Sequence, residues 1–399
     1  MVDVETPRRA LRRVGGWEYR WLCLLLLVVL AMHFGVITRP AQLVFDEQHY
    51  VKDARAILSE HETHRPEHPP LGKLIIASGM RVFGDNPVGW RFFSVLFGTA
   101  SVLLFYLICR RLRLSRRISL LATFLLAFDN LSFVQASVAM LDVYSLTFML
   151  CGFWLYLRGD YPLSAVSIGL STLAKLTGAL GMVVIVLHWL LARRSEARRF
   201  LPSILVAPAC FLSVMPFLDF AISGKWLNPI DQTGRMLSLS GTLTFANTSS
   251  QVVSRPWEWL VRPEIMAYWY DPHYLGAESF TIGALIVPTM LYMAFLASRK
   301  SGPALFGISW FAGTYLPWIP ASIITDRISF VYYFYPTVGA ICIGLALGLG
   351  QLLQIRRLSN SSRLRRAILA TVLGYLLLHA IVFVVLSPLS TWWSVPAPT

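Results

Sequence analysis

The chain has 399 residues, of which 56% are hydrophobic and only 14% charged, and it carries a formal net charge of +14. Soluble domains hold about 25% charged residues, so this composition excludes a soluble enzyme and points to a polytopic membrane protein. The positive charge does not require a nucleic-acid partner, because its placement follows membrane topology.

Read from the N-terminus, a basic tail (1–20) precedes an apolar run at 21–38. The run is longer than a signal-peptide core and no small-residue cleavage site follows, so an uncleaved first span is expected. A long segment, 39–89, comes next and contains VFDEQHYVKDARAIL at 44–58. Asp46 and Glu47 stand just where the chain leaves the bilayer. From spacing alone they are either interfacial charges or a reaction centre. Val51, Ala54 and Leu58 recur at i, i+3 and i+7, with Lys52, Asp53 and Arg55 on other faces, which predicts a helix along the interface. His68-Pro69-Pro70 reads first as a rigid turn, since proline fixes φ and restricts its predecessor; a substrate role for His68 is the alternative.

Apolar runs at 90–109, 118–135, 137–157, 162–176, 178–192 and 200–221 predict six further spans. A second long loop, 223–277, is rich in aromatic residues: Trp226, Trp257, Trp259, Tyr268, Trp269, Tyr270 and Tyr274. Such residues favour the headgroup level, and loops of this length are usually functional or disordered. Spans at 278–297, 304–322, 328–352 and 367–388 follow, then a tail at 389–399. The expected fold class is an all-α polytopic membrane protein of about eleven transmembrane helices in one domain, with two long outer loops carrying interfacial helices. No internal repeat is visible, which weakens a transporter reading.

In this register most of the 35 basic residues share one side. They are Arg8, Arg9, Arg12, Arg13 and Arg20, the Arg110–Arg117 cluster, Arg158, the Arg193–Arg199 cluster, Arg299 and Lys300, and the Arg356–Arg366 cluster. Positive charge marks the cytoplasmic side, so the N-terminus is expected inside and both long loops outside. The five cysteines, Cys23, Cys109, Cys151, Cys210 and Cys342, fall in or at the ends of spans without paired spacing. They imply neither a disulfide framework nor a thiolate metal site.

Several polar residues stand out against this background. Asp142 lies inside a span, where ionisable groups are functional candidates by default; pairing with a neighbouring helix is the other reading. Lys175 either snorkels to the headgroups or binds phosphate. Arg255 and Arg327 are outer-side cations that meet either a phosphate or lipid headgroups. Trp257 and Trp259 read as interface anchors before sugar platforms. Asp129 and Asn130 are expected to cap the outer end of the third span.

The chain lacks a P-loop, a dinucleotide-binding glycine motif and H-E-x-x-H. An enzyme facing outward cannot count on nucleotide-activated donors. A lipid-borne donor, its phosphate at the interface, lies within reach of the first outer loop. Asp46 is then placed to take a proton from an acceptor hydroxyl as a general base. Glu47 would orient the acceptor or hold Asp46, and nearby cations would neutralise the departing phosphate. Asp46, Glu47 and His49 could form a partial metal site, yet a monophosphate leaving group beside cations needs none, so no cofactor or metal is expected to be required.

FDEQHYVKDARAIL followed by EHPPLGKLII resembles the protein O-mannosyltransferase family, polytopic enzymes of the glycosyltransferase C-type fold. The resemblance continues through FDNLSFVQASVAMLD (128–142), LSTLAKLTGAL (170–180), SRPWEWLVRP (254–263), LPWIP (316–320) and DRISFVYYFYP (326–336). It implies inverting transfer of mannose from a polyprenyl- or dolichyl-phosphate carrier to Ser or Thr of exported proteins. Asp46 matches the family's catalytic aspartate and Glu47 its companion. His68 and Lys73 lie in the HPPLGK segment and join Arg91, Asp142, Lys175, Arg255, Trp257 and Arg327 as substrate-binding candidates. One departure is clear: Ser137 stands where the family commonly has an arginine, with Arg91, Lys175, Arg255 and Arg327 as candidate substitutes.

The expected partners are thus a lipid-phosphate-linked sugar, an exported protein and membrane lipid, with a dimer left open and no nucleic acid. Without room for the extra soluble outer domain of eukaryotic members, a bacterial or archaeal plasma membrane is the expected location, or the endoplasmic reticulum if the chain is eukaryotic. The alternatives are a related transferase moving arabinose or aminoarabinose to a lipid or envelope glycan, a lipid-saccharide transporter, and a non-catalytic subunit.

Overall fold

A computed structural model describes residues 17–241, 244–247 and 252–395. The tail arginines Arg8, Arg9, Arg12 and Arg13, and the last four residues of the 389–399 tail, lie outside the described residues. Helix α1 spans Trp17–Val36. The first long loop folds into α2 (Glu47–Ser59) and α3 (Pro70–Phe83). Helix α4 (Pro87–Arg111) starts sharply because Pro87 suits the first turn and the Asn86 side chain accepts from the amides of Val88 and Gly89.

The 118–135 run is broken into α5 (Arg116–Ala127) and α6 (Asn130–Ser137), bent by 62°. Asp129 makes the break: its Oδ2 accepts from the amide of Ser132, and its Oδ1 from that of Ser279. It therefore caps the start of α6 rather than the outer end of a continuous third span, as the sequence suggested. Asn130 faces the second long loop, donating to the carbonyls of Leu275 and Ala277. Next come α7 (Leu141–Arg158), α8 (Tyr161–Ala174), α9 (Leu180–Ala192) and α10 (Ala197–Ser223). Between α8 and α9 the chain becomes extended at Lys175 and turns through 176–179.

The second long loop holds α11 (Pro229–Ser240) and an antiparallel hairpin, β1 (Met266–Tyr270) with β2 (His273–Gly276), in register Met266 to Gly276 and Tyr270 to His273. The hairpin corrects the all-α expectation. MAYWY and HYLG, rich in aromatic residues and joined by Asp271-Pro272, carry ordinary strand and turn chemistry. The chain ends with α12 (Phe280–Gly283), α13 (Ile286–Ser298), α14 (Gly302–Tyr315), α15 (Trp318–Thr325), α16 (Val338–Leu358) and α17 (Ser362–Leu386).

Each apolar run seen in the sequence is helical, but not each is a long rod. Among the described residues five helices are long and apolar enough to cross a bilayer: 19–36, 87–111, 194–223, 331–358 and 362–386. The bent α5–α6 pair counts as a sixth if it is one broken span and not a re-entrant loop, while 161–174, 176–192 and 286–298 are apolar but shorter. The core lies where α7 packs between α4 and α8, with close approach secured by small residues. A Cβ on Gly98 of α4 would stand 2.3 Å from that of Ala136 on α6.

Helix α2 buries Tyr50, Val51, Ala54 and Ile57 against neighbouring protein, chiefly α3. Leu58, expected on that face, is exposed, and Asp53, expected off it, is buried. The reason is a polar hub. Asp53 accepts from Thr63 Oγ1 at 3.1 and 3.0 Å and from the amide of Arg65 at 3.1 Å, and pairs with Lys73 at 3.3 Å. These bonds fold the 60–69 segment back over α2.

Candidate active site

Leaving α1, the chain turns at Phe45, whose φ of +43° is a left-handed conformation that a bulky residue adopts only when its surroundings hold it. Here the ring stacks on Tyr268, centroids 4.8 Å apart, and meets Phe330 and Tyr332 edge-on. The turn delivers Asp46 to the start of α2 with no capping bond from its side chain. Its carboxylate is thus free to line a cavity of about 730 Å³. Tyr332 Oη donates to Asp46 Oδ2 at 3.3 Å. Loss of water around the carboxyl pushes its pKa up to about 6, against the pull of Lys175 and with the push of Asp142. That value suits a base working near neutrality.

Glu47, one residue on, points elsewhere. It is fully buried, and both carboxylate oxygens are committed. Oε1 accepts from Arg91 Nε at 2.8 Å and the Ala139 amide at 2.9 Å; Oε2 accepts from Arg91 Nη2 at 2.7 Å and the Val44 amide at 3.0 Å. Four donors saturate a carboxylate. Glu47 therefore does not line the cavity, and of its two sequence-based roles only holding Asp46 fits this geometry. Arg91 is equally occupied, its remaining hydrogens going to the carbonyls of Ile37, Arg39, Pro40 and Gln42. It staples the end of α1 and the start of α2 to α4, and has no donor left for a phosphate.

Lys175 lines the cavity, held by Asp142 through contacts of 2.8 and 2.7 Å. Its Nζ also lies 5.2 and 5.7 Å from the ring centroids of Tyr332 and Tyr333. Asp142 thus acts on the cavity through Lys175 rather than by lining it. The break after α8 is what turns this lysine inward. Gly178 closes the turn, its amide donating to the Lys175 carbonyl at 2.8 Å. A Cβ there would lie 2.3 Å from the Ser171 carbonyl carbon.

The rest of the polar lining comes from the 60–69 segment and from the approach to α16. His68 faces Tyr50 edge-on, and burial together with the charge of Lys175 holds its imidazole well below the usual histidine range, hence neutral. Arg65 bonds His49 and lies 3.4 Å from Glu67 Oε1. Arg327 also lines the cavity, and its Nε has no hydrogen-bond partner among the described residues. From this polar floor the cavity runs between Leu176, Leu180 and Val183 on one side and Pro317, Trp318 and Ala321 on the other. Two acids, Asp46 and Glu67, and three cations, Arg65, Lys175 and Arg327, thus share the cavity with an apolar groove.

Other expected residues are elsewhere. Lys73 is buried, donating to Thr63 Oγ1 at 2.6 Å and the Arg65 carbonyl at 3.0 Å, so it shapes the cavity's rim from behind. Arg255 pairs with Asp326 at 2.8 Å and covers Phe245, while Trp257 stays exposed beside it; neither lines the cavity. Trp259 is core, 1% exposed, with Nε1 bonded to Ser254. Ser137 is buried and bonds the Phe133 carbonyl and His33, away from the cavity lining. The cation beside its segment is Arg91, which shares Glu47 Oε1 with the Ala139 amide. Asp46, Glu47 and His49 diverge, and no group of three or more His, Cys, Asp or Glu side chains converges among the described residues. Sequence reading missed Tyr50, Arg65, Glu67, Tyr332 and Tyr333. The dense aromatic run VYYFY was the available signal for the last two.

Comparison with known proteins covers part of the site, from residue 67 onward in the family profile and so without Asp46 and Glu47. A family profile described as dolichyl-phosphate-mannose-protein mannosyltransferase matches residues 67–220, which include His68, Asp142 and Lys175. The polyprenol-phosphate-mannose–protein mannosyltransferase of Mycobacterium tuberculosis is 36% identical over 150 residues, a stretch covering 36% of this chain and only 29% of that protein. The Corynebacterium glutamicum protein of the same name is 24% identical across 95% of this chain and 91% of its own length. The chain is similar to protein O-mannosyltransferases, and spans less than a third of the length of the first of these in the matched stretch. The Saccharomyces cerevisiae protein O-mannosyltransferase Pmt1-Pmt2 complex, solved with its sugar donor, superposes on this chain with a TM-score of 0.73 at 11% identity, covering 92% of this chain and 89% of the other. The fold is shared where the sequence has drifted far.

Proposed function

We propose that this protein transfers mannose, with inversion, from a polyprenyl-phosphate carrier to Ser or Thr hydroxyls of exported proteins. Asp46 carries the reading: a carboxylate tuned to about 6 at the floor of a cavity whose other end is apolar. The hydroxyl proton goes to Asp46. The hydroxyl oxygen then bonds the anomeric carbon from the face opposite the phosphate. The carbon–oxygen bond to phosphate breaks, and the electron pair leaves with the phosphate, where Lys175 and Arg327 offset the charge. The groove from Leu176 to Val183, faced by Trp318, suits an isoprenoid chain. The same reading takes the chain as eleven spans, with the N-terminus cytoplasmic and the cavity on the outer face of a plasma membrane.

The test uses purified protein, polyprenyl-phosphate-mannose and peptides from exported proteins. Mass spectrometry should find a hexose on Ser or Thr, and Asp46→Asn should lower its rate of appearance by about a hundredfold or more at unchanged protein yield. Equal transfer by wild type and variant would remove Asp46 as base. Transfer of aminoarabinose to a lipid acceptor, with none of mannose, would replace the substrate assignment.

A further inference from the structure

A second cavity, of about 300 Å³, lies apart from the first between the 259–263 segment and α12–α13. It is lined by Trp259, Arg262, Glu278, Phe280, Gly283 and Val287, among others, none of which belongs to the reaction cavity. Glu278 is only 4% exposed, and its Oε2 has no hydrogen-bond partner among the described residues. A buried carboxylate oxygen without a donor is costly and rare. Room for the group is built in: a Cβ on Gly283 would lie 3.2 Å from Glu278 Oε1. Behind it sits a second acid, Asp129, which already holds the amide of Ser279. The inner end of the cavity is therefore acidic and short of donors.

The one cation among its described lining residues sits at the mouth. Arg262 stands at the rim, 59% exposed, its Nη2 3.0 Å from Glu258 and its Nε on Glu264, which leaves Nη1 uncommitted among the described residues. Val287, Leu291 and Phe295 are 46, 67 and 52% exposed and recur every fourth residue, forming one stripe along α13 that leads away from the cavity. At 1.5 Å per residue the stripe is about 12 Å long. A buried acid within, the open Nη1 edge of Arg262 at the rim and an apolar track beyond match, in order, the ammonium, phosphate and acyl chain of one molecule.

We propose that this cavity is a binding site for the headgroup of an ethanolamine-type aminophospholipid, its ammonium on Glu278, its phosphate at Arg262 and a chain along α13. An ammonium with three N–H donors supplies the partner that Glu278 lacks, whereas a trimethylated choline head has no N–H to offer. The site is independent of sugar transfer, so its test reads lipid retention and not activity. Full-length protein in detergent is incubated with dioleoyl-phosphatidylethanolamine, -choline or -glycerol and examined by native mass spectrometry. Ethanolamine lipid should be retained about tenfold over the choline lipid, a preference that Glu278→Gln removes. Arg262→Ala, at an exposed position, should weaken both lipids and leave the preference intact. Equal retention of choline lipid, glycerol lipid retained as well as ethanolamine lipid, an unchanged preference in Glu278→Gln, or undiminished binding by Arg262→Ala would each overturn the assignment.

Discussion

Lys175 and Asp142 form a closed pair beside the proposed base: Nζ lies 2.8 and 2.7 Å from the two carboxylate oxygens, and of the two residues only the lysine lines the cavity. Their charges act on Asp46 in opposite senses, Lys175 drawing its pKa down and Asp142 raising it. The acid limb of the pH–rate profile should therefore move to lower pH in Asp142→Asn and to higher pH in Lys175→Met. Profiles of kcat/KM for the two variants check this, and shifts in the same direction would refute the coupling.

Transfer by the wild type should fall as pH drops through about 6, where Asp46 takes up a proton, and level off above. Loss of the base in Asp46→Asn should lower the rate by about a hundred- to ten-thousandfold. Stability has the opposite sign. The folded pKa lies above the unfolded value near 3.8, so the folded state binds the proton more tightly, and this group's contribution to stability grows as pH falls from about 6 toward 4. Asp46→Asn should accordingly unfold no earlier than wild type on heating in detergent at neutral pH.

Glu47 and Arg91 should show the converse pattern. Removing one partner leaves the other charged, buried and unpaired, at a cost of about 3–5 kcal/mol. Glu47→Ala and Arg91→Met should each lower the unfolding temperature sharply, and combining them should cost less than the sum of the two. An unchanged unfolding temperature in Glu47→Ala would show that the pair does not hold the site together.

Gly178→Ala forces a Cβ to within 2.3 Å of the Ser171 carbonyl carbon, a backbone atom that cannot swing aside. Overpacking of this kind costs about 1–3 kcal/mol. Because the same turn presents Lys175, transfer should fall further than thermal stability does. A variant that transfers normally would show that the turn has slack.

The sequence made the apolar runs, the first-loop helix and Asp46 legible, because each depends on local pattern or on the point where the chain leaves the bilayer. It did not reveal that Arg91 belongs to Glu47, 44 residues away, or that Lys73 serves Thr63 and Asp53. A cation near an expected phosphate reads as a ligand until its hydrogen-bond partners are known. The bend at Asp129 was hidden for a similar reason: one of that residue's two carboxylate oxygens is taken by Ser279, far along the chain. Arg65 and Tyr332 enter the cavity only through tertiary packing, which no spacing encodes.

The anchored Glu47 directly follows Asp46, with no intervening residue to act as a leash. Successive positions in a helical turn differ by about 100°. One residue inserted between the two would leave the clamp on Arg91 intact while swinging the reactive oxygen out of reach. The aim of the proposed base is thus set by a peptide bond, and side-chain rotation is the only tolerance it retains.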